Sequence, residues 1–255
     1  MKFRAWPTTV LVVGISVAWC NIGIAATPCP PSQLSVDGSN PVATPCQTAP
    51  VNGYSTNFSL TENPLSEGGK WVNGKVTGLD WNTPQSASGK AYASVRSGIT
   101  GSRYDDSVAH LSTSFQSFNA NQFAQGTVYR VAGYAPSGSK HEIELLLRFQ
   151  ITAHNARGYE VLWGWDGDFA IVRWNGPVGD YTAIYSNTFE QLVDGDVVRA
   201  EINGSVIKVY KNGALKATGP SNGTFASGQP GVGFWPVDSA TKENYGWKSY
   251  QAGNL

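Results

Sequence analysis

The sequence predicts an all-β protein built as a two-sheet antiparallel sandwich, and three observations carry that prediction. Charged residues make up only 14% of the 255 positions, while Gly numbers 29 and aromatics reach 12%, the usage of sheets and tight turns rather than of helices. Short runs of alternating or β-branched residues recur, and no segment shows the 3.6-residue apolar period of an amphipathic helix. Turn chemistry separates the runs, with Asp166-Gly167 and Asn203-Gly204 as hairpin turns and Asn212-Gly213 ending the strand that follows.

In chain order, the first element is a leader. Lys2 and Arg4 precede an apolar run from Val10 to Ala18, and the small residues Gly23, Ala25 and Ala26 follow. This pattern predicts an export signal over 1–26, cleaved near Ala26, and hence a secreted, periplasmic or extracellular protein. Cys20 and Asn21 shorten the run below the roughly 18 residues of a membrane anchor, so no membrane insertion is expected after cleavage. Bulky Trp19 ahead of Cys20 speaks against lipidation. Residues 27–53 are rich in Pro, Ser and Thr and read as a linker. Cys29 and Cys46 are the pair left after cleavage and predict one disulfide in that segment; zinc would need a His or third Cys near them, and there is none.

The domain over 54–255 then holds the strands. They are predicted at 127–131, 141–152, 159–165, 169–174, 181–186, 197–202, 206–211 and 232–235. Hairpins in such close order imply antiparallel sheets stacked face to face. Eighteen basic against 18 acidic residues give zero formal charge. A nucleic-acid partner is not expected, because it would need counterion release by clustered cations. No Gly-rich phosphate fingerprint lies between a strand and a helix, and three His make a multi-His metal centre improbable.

Several segments resemble the concanavalin A-like lectin and glucanase superfamily, whose LamG-like members are jelly rolls. They are 58–71 (FSLTENPLSEGGKW), 157–161 (RGYEV), 171–175 (IVRWN), 195–199 (GDVVR), 207–213 (IKVYKNG) and 228–234 (GQPGVGF). The resemblance implies a two-sheet antiparallel jelly-roll sandwich that faces glycans and holds a sugar chain on its concave sheet. Such a fold hosts lectins, hydrolases and lyases alike. It also implies a structural Ca2+, for which Asp105, Asp106 and Asp238 are the candidates. These acids serve equally well as turn formers, and no other cofactor is required.

Candidate binding residues follow from period-two parity. In 141–152, Ile143, Leu145, Leu147, Phe149 and Ile151 form an apolar row for the core, which sends Glu142, Glu144, Leu146, Arg148 and Gln150 to the other face. The same reading sends Glu160 outward against Tyr159, Val161 and Trp163. It sends Phe169, Ile171 and Arg173 outward against Ala170, Val172 and Trp174. Glu144, Arg148, Gln150, Glu160 and Arg173 would then floor a groove, with carboxylates, guanidinium groups and an amide for sugar hydroxyls or uronates. Outward Glu and Arg on neighbouring strands also form plain cross-strand ion pairs. Trp165, Trp235 and Trp81 are the Trp expected at the rim, where indole faces stack on sugar rings, and Trp71, Trp163 and Trp174 fall in core positions.

Three function classes remain open. The first is a lectin-like module binding polysaccharide. The second is a uronate-polymer lyase in which Arg148 and Gln150 neutralise the carboxylate while His154, or one of Tyr104, Tyr159 and Tyr210, moves the proton. The third is a non-catalytic envelope or matrix interaction protein. Glycoside hydrolysis needs two flanking carboxyl groups; Glu142-Ile-Glu144-Leu-Leu146 lacks a third acid, so Glu160 would have to serve as the partner. Asn57, Asn203 and Asn222 head glycan-acceptor triplets.

Overall fold

The computed structural model describes residues 53–94, 106–133, 141–236 and 241–255. The leader, the linker with Cys29 and Cys46, and the residues Tyr104, Asp105 and Asp238 lie outside the described residues. Among the described residues, fifteen strands, numbered in chain order, form two sheets in which every paired strand is antiparallel to its neighbour. Among the described residues, helix is confined to a π turn at Gly74–Gly78 and a 3-10 turn at Lys242–Asn244, and none is long and apolar enough to cross a membrane. The predicted two-sheet antiparallel sandwich is the observed architecture.

One sheet runs β13 (Ala214–Pro220), β12 (Val206–Lys211), β11 (Val197–Asn203), β6 (Gln122–Arg130), β15 (Tyr245–Asn254), β4 (Lys90–Ala93) and β3 (Pro84–Ala87), with β1 (Gly53–Thr56) also paired to β15. The other runs β10 (Tyr181–Thr188), β9 (Asp168–Gly176), β8 (Asn155–Gly164), β7 (Glu142–Thr152), β14 (Gln229–Trp235), β5 (Ser107–Leu111) and β2 (Trp71–Asn73). All eight predicted strands are present. Those not predicted, β1 to β5, β13 and β15, are short or rich in Gly, Ala, Ser and Gln, and take strand form from their ladder partners rather than from propensity.

The inter-sheet core contains Ile143, Leu145 and Leu147 from β7, Tyr159, Val161 and Trp163 from β8, and Ala200, Ile202, Ile207 and Val209 from the facing sheet. Trp247 and Tyr250 from β15 join them. The segment carrying the first motif is held by its own carboxylates. Glu62 accepts the backbone N–H groups of Ser66 at 3.0 Å and Glu67 at 2.8 Å, while Glu67 accepts from the Trp71 indole at 3.1 Å and from the Thr56 hydroxyl.

Two corrections to the parity reading decide where the site lies. The first is a bulge in β7. The pairing with β8 shifts register between Leu147 and Gln150, and Arg148 adopts φ +48°. The extra residue turns the strand over. Phe149 and Ile151 therefore leave the predicted core row for a second cluster on the outer face of the seven-stranded sheet, with Trp81, Val108, Leu146, Val172 and Trp174.

The second correction concerns β9. A two-residue Asp166-Gly167 turn would pair Trp163 with Ala170; the observed register pairs Trp163 with Phe169. A one-residue slip exchanges the faces of a strand. Phe169 and Ile171 thus lie in the inter-sheet core, and Val172 and Trp174 lie on the outer face.

Candidate functional site

The outer face of the seven-stranded sheet carries two regions. At one end, Trp81, which follows the π turn, packs on Val108, Phe149 and Trp174 of the second cluster, with the Trp81 and Trp174 rings 6.0 Å apart. Beside this, a cavity of about 160 Å³ opens onto β7, β8, β9, β10 and β14, with Asp106 just ahead of β5. Its acids are Asp106, Glu142, Glu160 and Asp180. Its aromatics are Trp174, Trp235 and Tyr181, with Leu162 and Val172 completing the floor and Pro177 and Gly179 the wall. Among the described residues, no Lys, Arg or His lines it.

Register explains why these side chains meet. Leu146 pairs with Glu160 across β7 and β8, Glu144 with Leu162, and Glu142 with Gly164. On the other side of β7, Glu144 pairs with Gly233 and Glu142 with Trp235. Same-face neighbours on adjacent strands are close enough to interact, so Glu142, Glu144, Glu160 and Trp235 form one patch. Gly233 is what leaves room for Glu144: a Cβ there would lie 1.9 Å from Glu144 Oε2. The wall is set by the β9–β10 connection, where Asn175 Nδ2 donates to Asp180 Oδ1 at 2.8 Å and Asp180 N–H donates to the Pro177 carbonyl at 3.0 Å.

Two of the acids are buried. Glu160 is 4% exposed and accepts a 2.6 Å hydrogen bond at Oε2 from Trp174 Nε1. Glu144 is fully buried, and neither of its carboxyl oxygens has a hydrogen-bond partner. Desolvation pushes both carboxyls well above the usual carboxylate range. The charges of Asp106 and Glu142 add to this on both, the charge of Glu160 acts on Glu144, and the Trp174 bond opposes the rise on Glu160. The neutral form that this shift favours offers an O–H donor as well as an acceptor. His110 on β5, raised on the same face, is neutral: burial lowers it to about 4, and it accepts at Nε2 from Ile151 N–H while Nδ1 meets the Leu111 carbonyl.

Of the residues singled out from sequence, Glu142, Glu160, Trp235 and Asp106 line this cavity, and Glu144 lies beside Glu142 and Glu160 in the same patch of the sheet. The structure does not bring the others to this cavity. Arg148 points toward the facing sheet, where its guanidinium donates to the carbonyls of Ala120 at 2.7 Å, Phe225 at 2.9 Å and Gly204 at 2.9 Å. Gln150 donates to the Ser227 carbonyl and accepts from Arg157. Arg173 is taken up by Asn175, Thr182 and Thr224. His154 sits at the exposed β7–β8 turn, 2.8 Å from Asp80. Tyr159 is buried in the inter-sheet core, donating to the Ser221 carbonyl. Trp165 and Trp81, expected at a rim, are buried at 3% and 1%, with the Arg130 guanidinium stacked 3.9 Å from the Trp165 ring.

For calcium, Asp106 is a cavity acid, and among the described residues no group of three or more His, Cys, Asp or Glu is placed to hold a metal ion. The parity reading missed Trp174, and it left out Asp180 and Tyr181, which reach the site through a connection whose shape no strand pattern encodes.

No family model matches the chain, and no curated protein matches it. Among solved structures it is similar to a carbohydrate binding module, CBM66, from Bacillus subtilis (14% identity over 74% of this chain and 96% of that one, TM-score 0.46). It is similar too to a Bacillus licheniformis beta-glucanase (11%, covering 80% and 99%, TM-score 0.45). A third is the carbohydrate recognition domain of Emp46p in a potassium-bound form (11%, covering 77% and 94%, TM-score 0.47). The sandwich assignment itself stands on the chain's own strand pairing.

Proposed function

We propose that the protein binds a saccharide in the cavity on the outer face of the seven-stranded sheet, as an exported, lectin-like module. The observation that carries this reading is the combination in one hollow of acids at graded exposure with the indoles of Trp174 and Trp235 and the phenol of Tyr181. Sugar hydroxyls pair well with carboxyl groups, and the C–H faces of a pyranose lie against aromatic rings. A site of mostly apolar walls with a few placed polar groups is the ordinary form of a small-ligand pocket. Export rests on the leader read at residues 1–26.

The lining charge weighs against a uronate polymer, and with it against the lyase reading. Among the described residues that line the cavity, four are acids, and a ligand carboxylate there would lie beside like charge. The guanidinium assigned to neutralise it, that of Arg148, is engaged with three carbonyls elsewhere.

Hydrolysis is a second reading of the same pocket, favoured by Glu160, a carboxyl whose neutral form burial favours, held by the Trp174 indole beside the acid Glu142 on the adjacent strand. A general acid paired with a carboxylate is what glycosidic cleavage requires. The test for both is one titration series. Soluble oligosaccharides are added while tryptophan fluorescence is followed, and reducing ends are counted after long incubation. Binding without new reducing ends supports the lectin-like reading, their appearance supports hydrolysis, and no response across neutral, amino and acidic sugars overturns both. Trp235→Ala is expected to weaken binding by about tenfold, roughly 1.4 kcal/mol.

A further inference from the structure

We infer that β10 is an interaction surface whose partner is a second copy of this chain, joined by antiparallel pairing of the two β10 strands about a twofold axis. Among the described residues, β10 ends the seven-stranded sheet and pairs with β9 alone. Six of its eight residues are exposed, and Ile184 and Tyr185 are half-buried. An edge strand presents a row of backbone groups that its own sheet does not pair, a template for a further strand. Thr188 N–H donates to Asn187 Oδ1 at 2.8 Å, a contact inside the strand itself.

The other edges carry the features that discourage such pairing. Among the described residues, the edge strands β1, β2 and β3 are three or four residues long, and β13 holds Lys216 and Pro220. Short length, lysine and proline all blunt an edge. β10 has eight residues with no Pro and no charged side chain, so self-pairing sets no like charges opposite each other. The nearest charges, Asp180 and Glu190, flank the strand and are held by Asn175 and Lys216.

A bulge between Ala183 and Tyr185 fixes the register. Side chains directly opposite across an antiparallel pair share a face. Ala183 pairs with Val172 and Ser186 with Ala170, both of the outer-face cluster, whereas Tyr185 and Asn187 pair with the core residues Ile171 and Phe169. Ile184 packs on the inter-sheet core as well. The faces therefore read alike from either end of the strand, about a point between Ile184 and Tyr185. With the twofold axis there, Ala183 meets Ser186 of the second copy, Thr182 meets Asn187, and Ile184 meets Tyr185, a β-branched residue against an aromatic one. A foreign strand would cover this edge and present its own free edge in turn, whereas two copies close on each other.

The experiment is sedimentation of the full chain from about 1 μM to about 1 mM, the range in which a contact at the small end of specific interfaces assembles. Amide hydrogen exchange over 182–187 is followed at both ends of that range. The expected result is a shift from one copy to two, with protection that arises only at the higher concentration. Ala183→Lys with Ser186→Lys sets lysine opposite lysine twice and should weaken association by about tenfold or more. Ala183→Lys with Ser186→Glu sets opposite charges at the same places and should associate at least as tightly as the unaltered chain. Both positions are exposed, so the variants alter the edge and leave the core intact. One copy throughout, or association that both variants weaken alike, overturns the inference. Protection at every concentration in a single copy assigns the edge to another segment of the same chain and overturns it too. Should the double-lysine variant fail to fold, weaker association of the lysine–glutamate variant than of the unaltered chain still overturns it.

Discussion

Glu144 has no exposed surface and no hydrogen-bond partner, so its charged form is disfavoured by the full cost of desolvation. Its folded-state titration lies well above the ordinary carboxylate value of 4.5, and so does that of Glu160. The sign follows from proton binding. Above about 4.5 the unfolded chain gives up these protons while the folded one keeps them, so their contribution is complete below that pH and is lost as pH rises through the folded-state values. Urea denaturation should show stability declining as pH rises above 4.5, and Glu144→Leu should flatten that slope and gain about 1 to 2 kcal/mol at neutral pH. Arg148 is the opposite case. Truncation to Ala leaves three backbone carbonyls without their charged donor, and a loss of about 3 kcal/mol in denaturant stability is expected, with saccharide affinity unchanged.

At the scale of elements, the bulge in β7 is the feature on which the site depends, because it separates Glu142 and Glu144 from Arg148 and Gln150. Gly228, just before β14, faces it: a Cβ there would lie 2.2 Å from the Arg148 backbone, whereas one at Gly195, also at positive φ, meets nothing within 4 Å. Gly228→Ala should therefore cost about 2 kcal/mol more than Gly195→Ala in thermal or chemical unfolding. The same element shows how far the sequence could be read. The alternation of Ile143, Leu145 and Leu147 located the core face, and with it the outward Glu144; the Tyr159, Val161 and Trp163 row did the same for Glu160. Beyond Leu147 the alternation continues in letters while the backbone has already turned over, so Arg148, Gln150, Phe149 and Ile151 were assigned to the wrong faces. In β9 both rows are apolar because both faces are buried, one in the inter-sheet core and the other against Trp81 and Phe149. Period two cannot choose between two buried faces. Only the hairpin register could, and it differs by one residue from the two-residue turn that Asp166-Gly167 suggests.

For the whole molecule, zero formal charge coexists with a local concentration of acids on one outer face, and the aromatic walls of that hollow come from β9, β10 and β14. The most direct test is nuclear magnetic resonance of the indole N–H groups during saccharide titration. Trp174 and Trp235 should shift together with ligand concentration, while Trp163 and Trp247, both about 1% exposed in the inter-sheet core, should stay in place. Shifts confined to other indoles, or none at saturating ligand, would contradict binding in this cavity.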